Sequence, residues 1–220
     1  MLDSGTIMML VEGTRDTLYM TLMSTLFGYV LGLPMGILLA VTDKEGIQPN
    51  SFVYKILDFV VNVVRSIPFL ILLILVIPLT KVIVGRSYGS SATIVPLVIA
   101  AAPFIARMVE ASLKEVDHGV IEAAISMGAG TGTVIWKVLL AEARTSLLVG
   151  VTIATGTVLG YSAMAGVVGG GGLGDIAIRY GYYRYQTDIM VFTIIVLVVL
   201  VQILQGLGMM LSKHFDRKRS

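Results

Sequence analysis

Long runs without a charged residue alternate with short charged segments along this chain. Residues 17–42 form such a run of 26 between Asp16 and Asp43, and residues 189–212 form another of 24. An apolar helix needs about 20 residues to cross a bilayer, and an ionised side chain at its centre costs about 2.5–3.5 kcal/mol. Dividing the chain at its charges therefore predicts an all-α membrane protein. Its five transmembrane helices are expected at about residues 17–42, 59–80, 87–106, 145–168 and 189–212.

The second span is the least regular of the five. Only residues 66–80 are free of charge before Lys81, so the helix is extended upstream to Phe59. This extension places Arg65 near a membrane–water interface, where its long side chain can reach the lipid headgroups. It also places Arg65 one helical turn from Phe69. Prolines in the second and third spans predict kinks.

The fourth charge-free run, residues 145–174, is too long for one upright helix. Its last part, from Gly166 to Gly174, is so rich in glycine that the helix is expected to end there and continue as a loop or a partial re-entry. No G-K-[ST] sequence follows the glycines, which argues against a phosphate-binding loop. The segment is interpreted as a place where backbone approaches backbone closely, with a plain flexible connection as the alternative.

The cations predict the orientation of the chain. With five spans and the tail KHFDRKRS inside, 11 of the 16 Lys and Arg residues fall on the cytoplasmic side and five fall outside. Cytoplasmic loops carry the excess of Lys and Arg in membrane proteins. The N-terminus is therefore predicted outside and the C-terminus inside.

Composition narrows the possible functions. The chain is 56% hydrophobic and 14% charged, whereas soluble domains are about 25% charged, and its net charge is only +2. A separate soluble domain and a nucleic-acid-binding function are excluded on these grounds. The chain has no cysteine, which rules out disulfides and thiolate metal sites. Asp3 stands where a secretory signal would carry cations, so the first apolar segment is expected to stay in the mature chain.

No catalytic constellation is visible within the spans. His118 and His214 both lie outside them, and no pair of acidic residues falls in the middle of a span. We therefore predict no catalytic residue, cofactor site or metal site in this chain.

The most polar region, residues 107–144, is predicted to fold as a helix-turn-helix on the cytoplasmic side. Apolar residues recur there at helical spacing, Asp117 is placed as the N-cap, and Gly128 and Gly130 are placed as terminators. Thr131 or Thr133 is expected to cap the second helix. The alternative is an amphipathic hairpin lying on the headgroups. Three small residues predict a shallow surface on which another protein could dock: Ala123, Ala124 and Gly128.

The same segment resembles the EAA loop of ABC importer permeases, whose pattern is E-A-A-x3-G-x9-I-x-L-P. Here Glu122, Ala123 and Ala124 are followed at the right spacing by Gly128. The end of the pattern matches less closely: Val138 replaces Ile, Leu140 matches, and Ala141 replaces Pro. The resemblance implies that these residues couple the permease to an ATPase.

Three further stretches are similar to the methionine ABC importer permease: RSIPFLILLILVIPLT, AAPFIARMVE and GYSAMAGVVGGGGLGDIAIRYGYYRY. This similarity implies a homodimer in the bacterial inner membrane, two cytoplasmic ATPase subunits that hold ATP and magnesium, and an external methionine-binding protein. A permease for another small amino acid, an ion channel, a secondary transporter and a non-transporting scaffold remain as alternatives.

Polar or polarizable residues in the spans are candidates for the translocation pathway. Tyr161, Ser162 and Met164 are placed in the middle of the fourth span, and Phe69 near the inner end of the second. Met164 is a candidate gate because the flexible side chain of methionine repacks easily. The alternative is that Met164 only fills space between helices. Ser162 is alternatively a hydrogen-bonding contact between helices.

Overall fold

In the computed structural model, which describes residues 3–214, all regular structure within that range is helical. The longer helices, each of at least 16 residues, are α1 (Ser4–Thr42), α2 (Ser51–Ser66), α3 (Phe69–Val84), α4 (Ser90–Lys114), α8 (Arg144–Ala165) and α10 (Thr187–His214). The shorter ones are α5 (His118–Ser126), α6 (Thr131–Thr133), α7 (Leu140–Glu142) and α9 (Gly172–Ile176).

Within residues 3–214, four segments are long and apolar enough to span a bilayer, and the bent pair α2–α3 is the candidate for a fifth span. The four are α1, α4, α10 and the stretch Arg144–Tyr182, which begins with α8. The prediction of an all-helical membrane protein is confirmed. Most of the cationic tail, residues 215–220, lies outside the described residues.

Helix α1 begins 13 residues before the predicted start of the first span. Asp3 is its N-cap and accepts a hydrogen bond from the backbone N–H of Thr6 at 2.9 Å. The helix then continues through the charged residues that precede Thr17. Charges mark where a helix can leave the hydrocarbon, but they do not end it, so the helix is longer than the predicted span, whose membrane boundaries stay a prediction.

The second span was predicted as one continuous helix from Phe59 to Thr80, and this continuity is wrong. The chain forms two helices, α2 and α3, whose axes bend by 107° at Ile67–Pro68. Pro68 has no N–H to donate and disfavours helical backbone in the preceding residue, and Ile67 is accordingly extended with φ −81° and ψ 123°. Arg65 and Phe69 therefore lie in different helices rather than on successive turns of one.

Helix α4 continues eight residues past the predicted end of the third span. Arg107 and Lys114, which were assigned to the loop, lie in its last two turns, so the loop proper begins at Glu115. α4 packs along α1 through a glycine stripe on α1, made of Gly28, Gly32 and Gly36. A Cβ on Gly32 or Gly36 would lie 2.6 Å from a backbone oxygen of α4.

The main core joins α1, α3, α4 and α8, and includes buried Met20, Leu97, Ile105 and Val158. α10 packs against α8 and the α9 region, but Ile189, Thr193 and Ser212 are its only buried residues. Most of its apolar surface therefore faces outward from the single chain.

Candidate functional site

The first helix of the loop forms as the sequence predicts. α5 begins after Asp117, whose carboxylate accepts the N–H of Gly119 at 2.6 Å and so caps the helix. It ends with two hydrogen bonds of a Schellman motif, from Gly128 N–H to Ile125 O and from Ala129 N–H to Ala124 O. Gly128 has φ +82° there, a conformation that favours glycine. The predicted N-cap Asp117 and terminator Gly128 are confirmed, whereas Gly130 lies at the start of the next helix.

The residues of the EAA pattern lie on two faces of α5. Glu122, Ala123 and Gly128 are exposed, whereas Ala124 is buried. Of the three small residues predicted to form a docking surface, Ala123 and Gly128 are exposed and Ala124 packs inward. No heavy atom lies within 4 Å of a Cβ placed on Gly128, so its backbone conformation rather than a neighbour requires glycine.

The second half of the loop is helical but irregular. A π-helical stretch, Val134–Leu139, separates α6 from α7. Val134 and Leu139 are buried, and Val138 and Leu140 are half-buried. The predicted threonine cap was wrong: Gly130 is the N-cap, and Thr131 instead accepts a hydrogen bond from Gln48 Nε2 at 2.9 Å.

Ala141, which stands in place of the family proline, lies inside α7. The chain turns two residues later, at Ala143, before α8 begins.

A network of charged and polar side chains joins α2 to the last turns of α4. Arg107 contacts Asp58, donates to Asn62 Oδ1 at 2.9 Å, and donates to Glu110 Oε2 at 2.7 Å. The hydroxyl of Tyr54 donates to the other Glu110 oxygen at 3.2 Å. Glu110 is only 4% exposed, and its carboxylate is satisfied by these donors and by Lys114. We call Tyr54, Asp58, Asn62, Arg107 and Glu110 the α2–α4 clamp.

Lys114 extends this network to the end of α1. Its ammonium lies 2.8 Å from Glu110 Oε1 and 2.5 Å from Asp43 Oδ2. The hydrogen bond from Lys114 is the main reason why the pKa of Asp43 is lowered from its ordinary value of 3.8. Three elements, α1, α2 and α4, are thereby joined where the loop begins.

Two of the pathway candidates form an aromatic stack. The rings of Phe69 and Tyr161 are nearly parallel, with centroids 4.6 Å apart. Phe69 is the first residue of α3 and is buried, while Tyr161 lies near the end of α8 and is half-buried. The sequence placed both residues in the pathway, but it did not predict that they touch.

The other two candidates differ from each other in exposure. The hydroxyl of Ser162 is buried and donates to Leu159 O of its own helix at 2.7 Å, so its one donor is used within α8. Met164 is 48% exposed on the single chain. Of the two, Met164 alone presents its side chain to whatever lies beyond this chain.

The glycine-rich segment is tightly packed. Leu173 N–H donates to Thr17 Oγ1 at 2.9 Å, and Thr93 Oγ1 donates to Gly170 O at 3.1 Å. Gly174 faces the backbone of Ala163, where a Cβ would lie 2.6 Å from the Cα. Close backbone approach is therefore the observed use of these glycines, as the sequence predicts.

Sequence reasoning missed the α2–α4 clamp. Tyr54, Asp58 and Asn62 recur every four residues, which puts them on one face of α2, and Arg107 and Glu110 share a face of α4. This spacing was visible in the sequence. The missing information was that α2 and α4 are neighbours.

Comparison with known proteins identifies the family. Residues 32–219 match the family described as binding-protein-dependent transport system inner membrane component. The chain belongs to this family. The predicted membership of the ABC importer permeases is thereby confirmed.

Individual relatives match over nearly the full chain. The probable D-methionine transport system permease protein MetI of Vibrio cholerae is 50% identical over 210 residues, covering 96% of this chain and 93% of that protein. The methionine import system permease protein MetP of Bacillus subtilis is 44% identical over 207 residues, covering 94% and 93%. A chain of the inward-facing MetNI methionine ABC transporter matches with a TM-score of 0.97 at 46% identity, covering 98% of this chain and 100% of that one.

Proposed function

We propose that this chain is the permease subunit of an ATP-binding-cassette importer that carries methionine, in its D form, its L form or both, into the cytoplasm. The observation that carries the proposal is the match over nearly the whole chain, in sequence and in fold, to permeases named for methionine transport. ATP and magnesium belong to a separate ATPase subunit, and this chain supplies no catalytic residue, cofactor site or metal site.

The working assembly contains two copies of this chain, two ATPase subunits and an extracytoplasmic methionine-binding protein, in the inner membrane of a bacterium. A zwitterionic amino acid cannot cross hydrocarbon unaided, so the importer needs a cavity that opens to each side in turn. The exposed apolar surface of α10 supports a second copy or lipid as its neighbour. Two copies enclose a cavity that five spans alone cannot.

In this proposal residues 1–220 form a single permease domain with five spans, the bent pair α2–α3 counting as one. The N-terminus is outside and the C-terminus is inside, which follows the bias of the cations. A reporter fused after Ser220 should be cytoplasmic, and one inserted at Arg86, between α3 and α4, should be external. The opposite result would reverse every statement about sidedness.

Helix α5 serves as the coupling helix, within a coupling loop whose pattern residues are Glu122, Ala123, Ala124, Gly128, Val138 and Leu140. Ala123→Trp adds bulk to an exposed helical position without backbone strain, whereas Gly128→Trp would also strain the turn. Ala123→Trp should abolish copurification of the ATPase, while Val82→Trp, at an exposed position on α3, should leave it intact. Normal ATPase binding by Ala123→Trp would disprove the assignment.

The pathway is lined by Phe69, Tyr161, Ser162 and Met164, with Met164 as the gate. The exposure of Met164 supports this role, because a methionine used for packing, such as Met20, is fully buried. Met164→Glu should slow uptake while the complex still assembles, whereas Met20→Glu should prevent folding. Loss of assembly in both variants would make Met164 a packing residue.

The deciding experiment is transport by the reconstituted complex. Vesicles holding this chain, its ATPase and the binding protein should accumulate labelled methionine only while ATP is hydrolysed. Accumulation of another amino acid, and never of methionine, would change the substrate but keep the permease. Accumulation driven by an ion gradient without ATP would favour a secondary transporter.

A further inference from the structure

Helix α2 is held to the rest of the chain by few apolar contacts. Of its residues only Val61 is buried, where it packs against Leu39 of α1 and Ala106 of α4. Several large apolar side chains of α2 are instead exposed: Phe52, Ile56, Phe59 and Val63. Tyr54 and Leu57 are half-buried against the same cluster, so the apolar contact of this 16-residue helix is small and lies on one face.

The α2–α4 clamp supplies what the apolar contacts lack. Its residues on α2 extend over two turns, and its residues on α4 lie on adjacent turns, so the contact is a line rather than a point. Sliding α2 along α4 by one turn would leave the buried carboxylate of Glu110 without the hydroxyl of Tyr54 and Arg107 without Asp58. Removing a partner from a buried polar or charged group is costly, so the clamp favours one register of α2 on α4.

The clamp lies between two short, stiff connections. Only Glu115, Val116 and Asp117 separate α4 from α5, and Val116 is buried in the main core. At the other end, Ile67 and Pro68 alone separate α2 from α3, whose first residue is Phe69 in its stack with Tyr161. A displacement of α5 therefore reaches the end of α4 directly, and a displacement of α2 reaches the aromatic stack directly.

We propose that the α2–α4 clamp transmits the movement of α5 to α2 and, across the Ile67–Pro68 bend, to the Phe69–Tyr161 stack. This inference rests on the proposed function, in which α5 docks the ATPase and the stack lines the pathway. The clamp residues are positioning residues: they touch neither substrate nor nucleotide. Without the clamp, α4 would move with the ATPase while α2 stayed behind.

The test uses Asp58→Asn, which keeps the size of the side chain and removes its charge. Arg107 keeps Glu110 in this variant, so the fold of α4 is preserved while the charged link to α2 is weakened. Lys55→Gln is the matched control, because Lys55 is an exposed charged residue of the same helix outside the clamp. Both variants are assembled with the ATPase and the binding protein in vesicles.

Two readouts distinguish transmission from a merely structural role. The first is the ratio of ATP hydrolysed to methionine transported, which should rise at least fivefold in Asp58→Asn and stay unchanged in Lys55→Gln. The second is the distance between spin labels at Ile56→Cys and Met127→Cys, two exposed positions in a chain that has no other cysteine. With the clamp intact this distance should be the same with and without ATP, and in Asp58→Asn it should change between the two states.

An unchanged ratio and an unchanged distance in Asp58→Asn would overturn the inference. If Asp58→Asn does not assemble, Arg107→Lys gives the same test, because a lysine keeps the charge but cannot contact Asp58, Asn62 and Glu110 together. The proposed function is judged separately on the unmodified chain. If the unmodified chain fails to bind an ATPase or to transport methionine, the proposed function is rejected. If the unmodified chain transports normally and Asp58→Asn behaves like it in both readouts, only the role of the clamp is rejected.

Discussion

At its N-terminal end α4 is joined to its neighbours mostly through hydroxyls and backbone carbonyls, and one of these hydroxyls, that of Ser90, donates to the carboxylate of Asp16. At its C-terminal end the contacts with α1 and α2 are made by charged side chains. The N–H of Gly89 donates to Gly169 O at 3.0 Å, and the hydroxyl of Thr93 donates to Gly170 O at 3.1 Å. At the other end Arg107, Glu110 and Lys114 pair with carboxylates and with one another.

The two ends therefore resist different perturbations. The glycine-rich segment beside the N-terminal end is packed backbone against backbone, so it is sensitive to added volume. The C-terminal end holds a buried carboxylate between two cations, so it is sensitive to the loss of a charge. A substitution that adds only volume should therefore destabilise the protein most near the N-terminal end of α4, and one that removes only charge should do so near the C-terminal end.

The largest effect is expected from adding volume in the glycine-rich segment. Gly174→Ala places a Cβ against the backbone of Ala163, which cannot move aside, and should cost about 3 kcal/mol, the upper part of the range for overpacking. Gly160→Ala, where the Cβ would meet no atom within 4 Å, should be neutral or stabilising by up to about 1 kcal/mol. Thermal unfolding of the detergent-extracted protein measures both, and equal melting temperatures would refute the tight packing.

Removing the buried charge at the C-terminal end should have the next largest effect. Glu110→Gln keeps the shape of the side chain but leaves Arg107 and Lys114 with one carboxylate each, and should cost about 1–3 kcal/mol. Glu115→Gln, an exposed residue one position beyond α4, should change stability by no more than about 0.5 kcal/mol. If the two substitutions behave alike, the network contributes nothing to stability.

The dependence of stability on salt concentration should also distinguish the two ends of α4, and the hydroxyl of Thr93 tests this at the N-terminal end. Thr93→Val keeps the volume and removes hydrogen bonds to Gly89 O and Gly170 O, at a cost of about 1 kcal/mol. The loss should be the same at low and at high salt, because neither partner is charged. The effect of Glu110→Gln should shrink at high salt to the extent that the network is accessible to ions. If the stability lost in Thr93→Val changed with salt concentration, the distinction between the two ends of α4 would be contradicted.

The smallest effect is expected from protonating Asp43. The hydrogen bond from Lys114 lowers the folded-state pKa of Asp43 below its unfolded value of 3.8. The stabilisation is therefore present above pH 3.8 and is lost as the pH falls through the folded-state pKa. The stability difference between the unmodified chain and Asp43→Asn should be visible at pH 6 and should vanish in strong acid. A difference that grows on acidification would reverse the sign of the coupling.

Local signals predicted α5 well. Asp117 and Gly128 act on residues within a few positions of themselves, through one capping hydrogen bond and one backbone conformation, so the sequence alone contains what determines them. The charge-free runs predicted the apolar spans for a similar reason. Insertion into hydrocarbon depends on the composition of each segment.

Features that depend on neighbours or on geometry were predicted less well. Pro68 was interpreted as a kink within one helix, but the extended backbone at Ile67 ends α2 altogether. The α2–α4 clamp and the Phe69–Tyr161 stack each join residues more than 40 positions apart. Their members were visible in the sequence as single residues, and only the tertiary fold makes them partners.

The glycine stripe of α1 has a consequence for the order in which the protein is made. Gly32 and the α4 backbone that it contacts, at Ala102, are some 70 residues apart in the chain. At a synthesis rate of about 5–20 residues per second, α1 waits roughly 4–14 s in the membrane before α4 is available. During that interval the stripe faces lipid or the insertion machinery, which cannot match a surface shaped for another helix. A bulky apolar side chain in the stripe would meet no partner helix during that interval, so it should leave the insertion of α1 unchanged and lower the yield of folded protein only once α4 has been made.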